Sequence, residues 1–181
     1  MENNQNTPPL ISLGEQQPLT YQNEWLQKFI DDNKTKEAVN LFYKSMNVDD
    51  MKIIANELIT NKTWIVLNFS GSPITAKGCQ YLCNALEKNS TLKHLFLSFN
   101  HLGDGAQFVW ELLLTDKNKT IQSIDFSQTE LTDNCIDKVV GIIKKDRMRY
   151  ISLDDAHLSK DGKQQLRQAA IDNNYTGVLY L

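Results

Sequence analysis

The sequence predicts an α/β solenoid, with a short curved parallel sheet inside, helices outside and a helical cap at its N-terminal end. Three observations point there. An apolar pattern recurs at intervals of about 28 residues, its period changes from two to four within each interval, and small hydroxyl residues stand at the change.

Trp64, Leu92, Ile121 and Met148 begin four units, spaced 28, 29 and 27 residues apart. Counting each of these as position 1, positions 1, 4, 6, 11, 19 and 23 of the first unit are Trp64, Leu67, Phe69, Ile74, Leu82 and Leu86. The second has Leu92, Leu95, Leu97, Leu102, Trp110 and Leu114. The third has Ile121, Ile124, Phe126, Leu131, Val139 and Ile143, and the fourth Met148, Ile151, Leu153, Leu158, Leu166 and Ala170. All 24 slots are apolar, where a chain with 41% hydrophobic residues would fill roughly ten by chance.

Positions 4 and 6 alternate, as on a strand with one buried face. Positions 11, 15, 19 and 23 fall on one stripe of a helix. Thr75, Thr132 and Ser159 follow position 11, where a side-chain oxygen caps the first free amides of a helix; Gly103 breaks the pattern in the second unit. Each unit therefore reads as strand, turn and helix. One such unit cannot bury its own apolar face, and stacking the units does so.

The segment Leu92 to Leu113, LKHLFLSFNHLGDGAQFVWELL, resembles the LxxLxLxxNxLxxxGxxxLxxxL consensus of leucine-rich repeats of the ribonuclease-inhibitor type. The resemblance runs from about Trp64 to Ala170. It departs from the consensus asparagine, kept at Asn100 but replaced by Ser72, Thr129 and Ala156, and from the helix glycine, kept at Gly78 and Gly162 but replaced by Ala106 and Cys135. Hydroxyls or water must then satisfy backbone groups that the asparagine normally serves, and the Ala156 side chain serves none. The resemblance implies a protein-binding module, and its family also includes an activator of the Ran GTPase.

Solenoid ends need capping. Residues 21–63 are expected to form a helical cap or a degenerate first repeat. Trp25, Leu26, Phe29 and Ile30 form one apolar stripe, then Val39, Leu41, Phe42 and Met46, then Met51, Ile54, Leu58 and Ile59. Residues 1–20 are polar and expected to be disordered, residues 64–174 hold the four repeats, and residues 175–181 read as a terminal strand. In that strand either Val178 and Tyr180 or Leu179 and Leu181 face inward. An apolar edge there invites pairing, so a homodimer through this strand is one expectation.

The net charge of -3 and pI near 5.6 argue against nucleic acid. No apolar run approaches the roughly 20 residues that cross a bilayer, and the N-terminus lacks the pattern of a secretory signal peptide. A cytoplasmic setting is expected. Cys79, Cys83 and Cys135 form neither a CxxC pair nor an even set, so reduced, buried thiols are expected. Asn-X-Ser/Thr triplets at Asn33, Asn61, Asn68, Asn89, Asn118 and Asn174 read as a by-product of Asn- and Thr-rich loops rather than as glycan sites. Short degenerate repeats in a Lys- and Asn-rich chain also resemble the effectors that intracellular bacteria inject into host cells, which would place the chain in a host cytosol.

No phosphate loop, HExxH, GxSxG or metal-spaced Cys/His cluster is present, so no catalytic residues, metal or cofactor are expected. His94, His101 and His157 read as falling at different repeat positions and so forming no common site. The informative positions are 3, 5, 7 and 8, which point away from the helices onto the concave face. They give His94, Phe96, Phe99, Asp125, Gln128, Tyr150, Asp154 and Asp155 as candidate protein-binding residues. Exposed aromatics beside acids would suit a partner with an apolar anchor flanked by bases. The alternatives are a regulator of a GTPase or other enzyme, and a self-associating structural unit.

Overall fold

A computed structural model describes residues 21–181; the expectation of disorder concerns residues 1–20, outside that range. Six strands alternate with six helices. The strands are β1 (Ala38–Asn40), β2 (Val66–Asn68), β3 (His94–Phe96), β4 (Ser123–Asp125), β5 (Tyr150–Ser152) and β6 (Val178–Tyr180). The helices are α1 (Glu24–Asn33), α2 (Val48–Thr60), α3 (Ala76–Leu86), α4 (Ala106–Leu114), α5 (Ile136–Lys144) and α6 (Lys160–Asp172). The strands form one sheet in the order β1-β2-β3-β4-β5-β6. All pairs are parallel, and Leu67, Leu95, Ile124 and Ile151 stand in register, position 4 against position 4.

The 24 apolar slots make the core. All of them are buried except Leu114 and Ala170, which pack against the core from its rim. Position 15 shares that core in all four units, with Gly162 in the last. Gly78 and its counterparts Ala106 and Cys135 are small and buried, because neighbouring helices approach closely there. A Cβ on Gly78 would stand 2.9 Å from the Met51 side chain on α2. The three thiols are buried and unpaired. Burial pushes the Cys135 thiol up to about 11, and a hydrogen bond with Cys79 followed by burial raises Cys83.

Residues 21–63 contain α1, β1 and α2. Val39 pairs with Leu67, so β1 and α2 repeat the strand–helix order in the register of the later units. The stripe assignments there are corrected at two residues: Trp25 and Phe42 are exposed, while Leu26, Ile30, Val39, Leu41 and Met46 are buried. Asp50 joins α1 to α2. Its carboxylate accepts hydrogen bonds from the Tyr21 hydroxyl (3.0 Å), Asn23 Nδ2 (2.8 Å) and the Asn47 amide (3.0 Å). At the other end Leu179 pairs with Ile151, so Leu179 and Leu181 turn inward and Val178 and Tyr180 stay exposed.

Two of the three expected caps form, since Thr75 accepts from the Gly78 amide and Ser159 from the Gly162 amide. Thr132 caps nothing through its side chain, because a single 3₁₀ turn at Asp133–Cys135 carries the chain into α5. Asp133 instead reaches the next unit, where its carboxylate accepts from both the amide and the hydroxyl of Ser159. Those bonds hold Asp133 below its usual carboxylate range.

The Asn-X-Thr triplets at Asn61, Asn89 and Asn118 are structural, which corrects their reading as a loop by-product. All three asparagines are buried three residues before position 1. Asn89 Nδ2 donates to the carbonyls of Leu58 (2.8 Å) and Asn61 (3.1 Å), and Oδ1 accepts from the amides of Thr91 (3.0 Å) and Leu92 (2.9 Å). Asn118 repeats this toward Leu86, Asn89, Thr120 and Ile121. In the fourth unit Arg147 takes over, its guanidinium donating to the carbonyls of Leu113 (2.9 Å) and Asn118 (3.0 Å). On the opposite side, Asn100 accepts from the Ile74 amide and donates to Phe69, while Ser72 and Thr129 donate hydroxyls to Leu41 and Phe126. At Ala156 the backbone makes its own turn, N–H to Leu153 O at 3.1 Å.

Candidate functional site

The strand face away from the helices is built from positions 3, 5, 7 and 8. Position 8 decides its character. Tyr43, Gly71, Phe99, Gln128 and Asp155 occupy this position in successive units, and all five have positive φ, between 45° and 70°. Each of the first four donates its amide to the position-7 carbonyl of the next unit, namely Ser70, Ser98, Ser127 and Asp154, at 2.9–3.0 Å. The inter-strand ladder thus continues into the turn and holds these residues left-handed. Glycine adopts that conformation freely, while an L side chain pays roughly 1–2 kcal/mol. Gly71 is the relaxed form. Tyr43 lies over it, so a Cβ at Gly71 would collide with the tyrosine ring. Phe99, in the same slot one unit on, is 53% exposed.

The other predicted residues divide into groups. Phe99, Gln128 and Asp155 line one shallow groove of about 300 Å³, together with His101, Glu130 and His157. There the Gln128 amide donates to the Asp155 carboxylate. Asp154 is exposed beside them. Phe96 and Tyr150 are half-buried on the sheet, and Tyr150 packs on Tyr180 with ring centroids 5.6 Å apart. Asp125 is tied down, accepting from the Ser127 amide at 2.8 Å, as Asn40 and Asn68 do for Phe42 and Ser70. His94 lies toward the strand starts. Burial, then the charges of Lys93 and Arg149, lower its pKa.

The histidine reading needs correction. His101 and His157 both stand at position 10, with Glu130 at position 10 between them, and all three line the same groove. His101 Nδ1 is 2.9 Å from Glu130 Oε1. Among the described residues, no group of three or more His, Cys, Asp or Glu side chains is placed to hold a metal ion.

Sequence reasoning also missed the first strand. With Val39 at position 4, Phe42 and Tyr43 are positions 7 and 8. Both are exposed and meet edge to face at 4.2 Å. The signal was available: VNLFY repeats the apolar–polar–apolar strand pattern 28 residues before LNFSG.

The family profile described as "Leucine Rich repeat" matches residues 88–106. Ribonuclease inhibitor from Sus scrofa is 35% identical over 98 residues, covering 53% of this chain. The chain has the fold of a leucine-rich-repeat solenoid and is similar to repeats of the ribonuclease-inhibitor type. The chain spans 21% of the pig protein's length. Two solved structures share its fold. The Caenorhabditis elegans tropomodulin C-terminal domain has a TM-score of 0.63 at 13% identity, covering 83% of this chain and 90% of that one. Leiomodin-1 actin-binding site 2 has a TM-score of 0.63 at 14% identity, covering 82% and 87%. Leucine-rich repeats generally mediate protein–protein interaction, using extended strand faces of this kind. No helix among the described residues is long and apolar enough to cross a membrane.

Proposed function

We propose that this leucine-rich-repeat chain binds a partner protein on its strand face, with Phe99 as the central anchor. One observation carries the reading. A bulky aromatic occupies a backbone slot that suits glycine, projects into solvent, and draws only part of its surface into packing. Strain kept at an exposed residue is a mark of a functional position. Phe96 and His94 flank the anchor on β3, Tyr150 supplies a second ring, and Gln128, Asp154 and Asp155 provide polar contacts. Asp125 is assigned a supporting role, because its carboxylate already shapes the end of β4. The pig relative, named as an inhibitor of ribonuclease, supports a protein as the class of ligand. A bacterial-effector origin stays a proposal on composition alone.

The test is affinity capture from a eukaryotic lysate with the native chain and a Phe96→Ala/Phe99→Ala variant whose fold is checked by circular dichroism. A protein retained by the native chain and lost by the variant is the expected result. Equal retention by both would move the site off this face.

A further inference from the structure

Over β3 to β5 the strand face is electrically polarised across its width, and β1 reverses the order with Glu37 at its start and Lys44 past its end. At the strand starts, position 2 carries the exposed acid Glu37 before β1 and the exposed bases Lys93 and Arg149 before β3 and β5. At the strand ends stand Glu130, Asp154 and Asp155, also exposed. Between these rims lie the rings of Phe96, Tyr150 and Tyr180, and Phe99 stands at position 8, level with Asp155. Beside the first rim, burial and then the charges of Lys93 and Arg149 lower the pKa of His94. At the second rim Gln128 donates to Asp155 and His101 meets Glu130, while inside the face Asp125 is held by the Ser127 amide and Ser98 and Ser127 pair with Ser70 and Ser152.

The dimensions select an occupant. Six strands at about 4.8 Å spacing make the face about 24 Å long across the strands. The six residue steps from position 2 to position 8 separate the two rims by at most about 20 Å. An α-helix is about 10–12 Å across with its side chains, and about 16 residues of it span 24 Å at 1.5 Å each. Laid across the strands, such a helix rests an apolar stripe on the aromatic row while long charged side chains on its two flanks reach the two rims. An extended strand, much narrower than the gap, reaches only one rim.

Resting on the strand-face reading above, we propose that the partner segment is an amphipathic helix of about 16 residues. Its apolar stripe carries acids on the flank over Lys93 and Arg149 and bases on the flank over Glu130, Asp154 and Asp155. Reversing such a helix end to end exchanges its flanks, so the polarised face also sets the direction in which it lies. The partner is recognised by one acidic and one basic flank, which a face of uniform charge would reject.

A displayed library of 18-residue helices tests this. The apolar stripe is fixed, the two flanks are randomised among Lys, Glu and Gln, and selection is on the full native chain. The selected helices are expected to carry one acidic and one basic flank, and to lose at least tenfold in affinity on a Phe99→Ala variant. A Lys93→Glu/Arg149→Glu variant should select bases on both flanks, and Asp154→Lys/Asp155→Lys should weaken the native selection tenfold or more. Helices that depend on Phe99 yet keep the same flanks on every charge variant would overturn the polarity and leave the strand-face reading standing. Helices indifferent to Phe99→Ala would overturn both. A library that yields no binder would overturn the helix, while lysate capture decides the strand face independently.

Discussion

If position 8 forces Phe99 into a left-handed backbone, then truncating it to glycine leaves a more stable protein than truncating it to alanine. Both Phe99→Gly and Phe99→Ala remove the ring, so its packing cancels in the comparison. They differ in the backbone. Alanine at φ 56° keeps the steric penalty of about 1–2 kcal/mol that glycine avoids. Glycine loses about 0.4–1 kcal/mol through the greater freedom of its unfolded chain. The difference leaves the glycine variant about 0.5–1 kcal/mol more stable, the reverse of the order found inside a helix or a strand. Urea unfolding followed by circular dichroism measures this, provided the two variants share one slope. Gly71→Ala gives the converse, destabilised both by φ 67° and by collision with the Tyr43 ring. An alanine variant at position 99 as stable as the glycine variant would refute the strain, and with it the reason for treating Phe99 as selected for contact.

Further outcomes follow from the same structure. Asn89→Ala should cost about 3 kcal/mol in urea unfolding, because it strips buried carbonyls of Leu58 and Asn61 and buried amides of the next strand of their partner; a loss under 1 kcal/mol would mean the ladder is dispensable. Cys79, Cys83 and Cys135 should resist an aromatic disulfide reagent at pH 8 in the native chain and react fully in denaturant, since all three are buried with Cys135 raised to about 11; fast native reaction would contradict that burial. Asp116 and Asp133 have folded pKa values below their unfolded value of 3.8, so the stability they add is present above about pH 4 and lost as pH falls through the lowered values. Asp133→Asn should therefore flatten the acid limb of the pH–stability curve, and an unchanged limb would refute the role of its bonds to Ser159. Pairing through β6, where Val178 and Tyr180 are exposed, should appear in light scattering as a dimer that Tyr180→Lys dissociates, and a monomer at high concentration would end that proposal.

The solenoid was legible because burial imposes a period that composition cannot hide. The slots at positions 4 and 6 read as inward, and the pairing of Leu67, Leu95, Ile124 and Ile151 is what stacked identical units require. What escaped was carried by residues whose role depends on the neighbouring unit. Asn61, Asn89 and Asn118 look like ordinary polar loop residues until their side chains are seen bonded to the previous repeat. Arg147 shares their task with another residue type one step from the unit start, so no alignment by kind would pair them. Thr132 matched the capping pattern, but a 3₁₀ turn moved the helix start beyond its reach. Phe42 and Tyr43 were hidden because β1 belongs to a unit whose first apolar slot is Lys36, which breaks the pattern at the place where the eye begins counting. The candidate face was legible as a set of positions, whereas the left-handed conformation of Phe99, Gln128 and Asp155 was written only in Gly71.

The central claim is that the strand face, rather than the helix face, binds the partner. The most direct test is a titration of the captured partner against the native chain, Phe99→Gly and Phe108→Ala, the last removing a ring that is 40% exposed on α4. Binding at least tenfold weaker for Phe99→Gly and unchanged for Phe108→Ala is the predicted result. The opposite pattern, with Phe108 required and Phe99 dispensable, would contradict it.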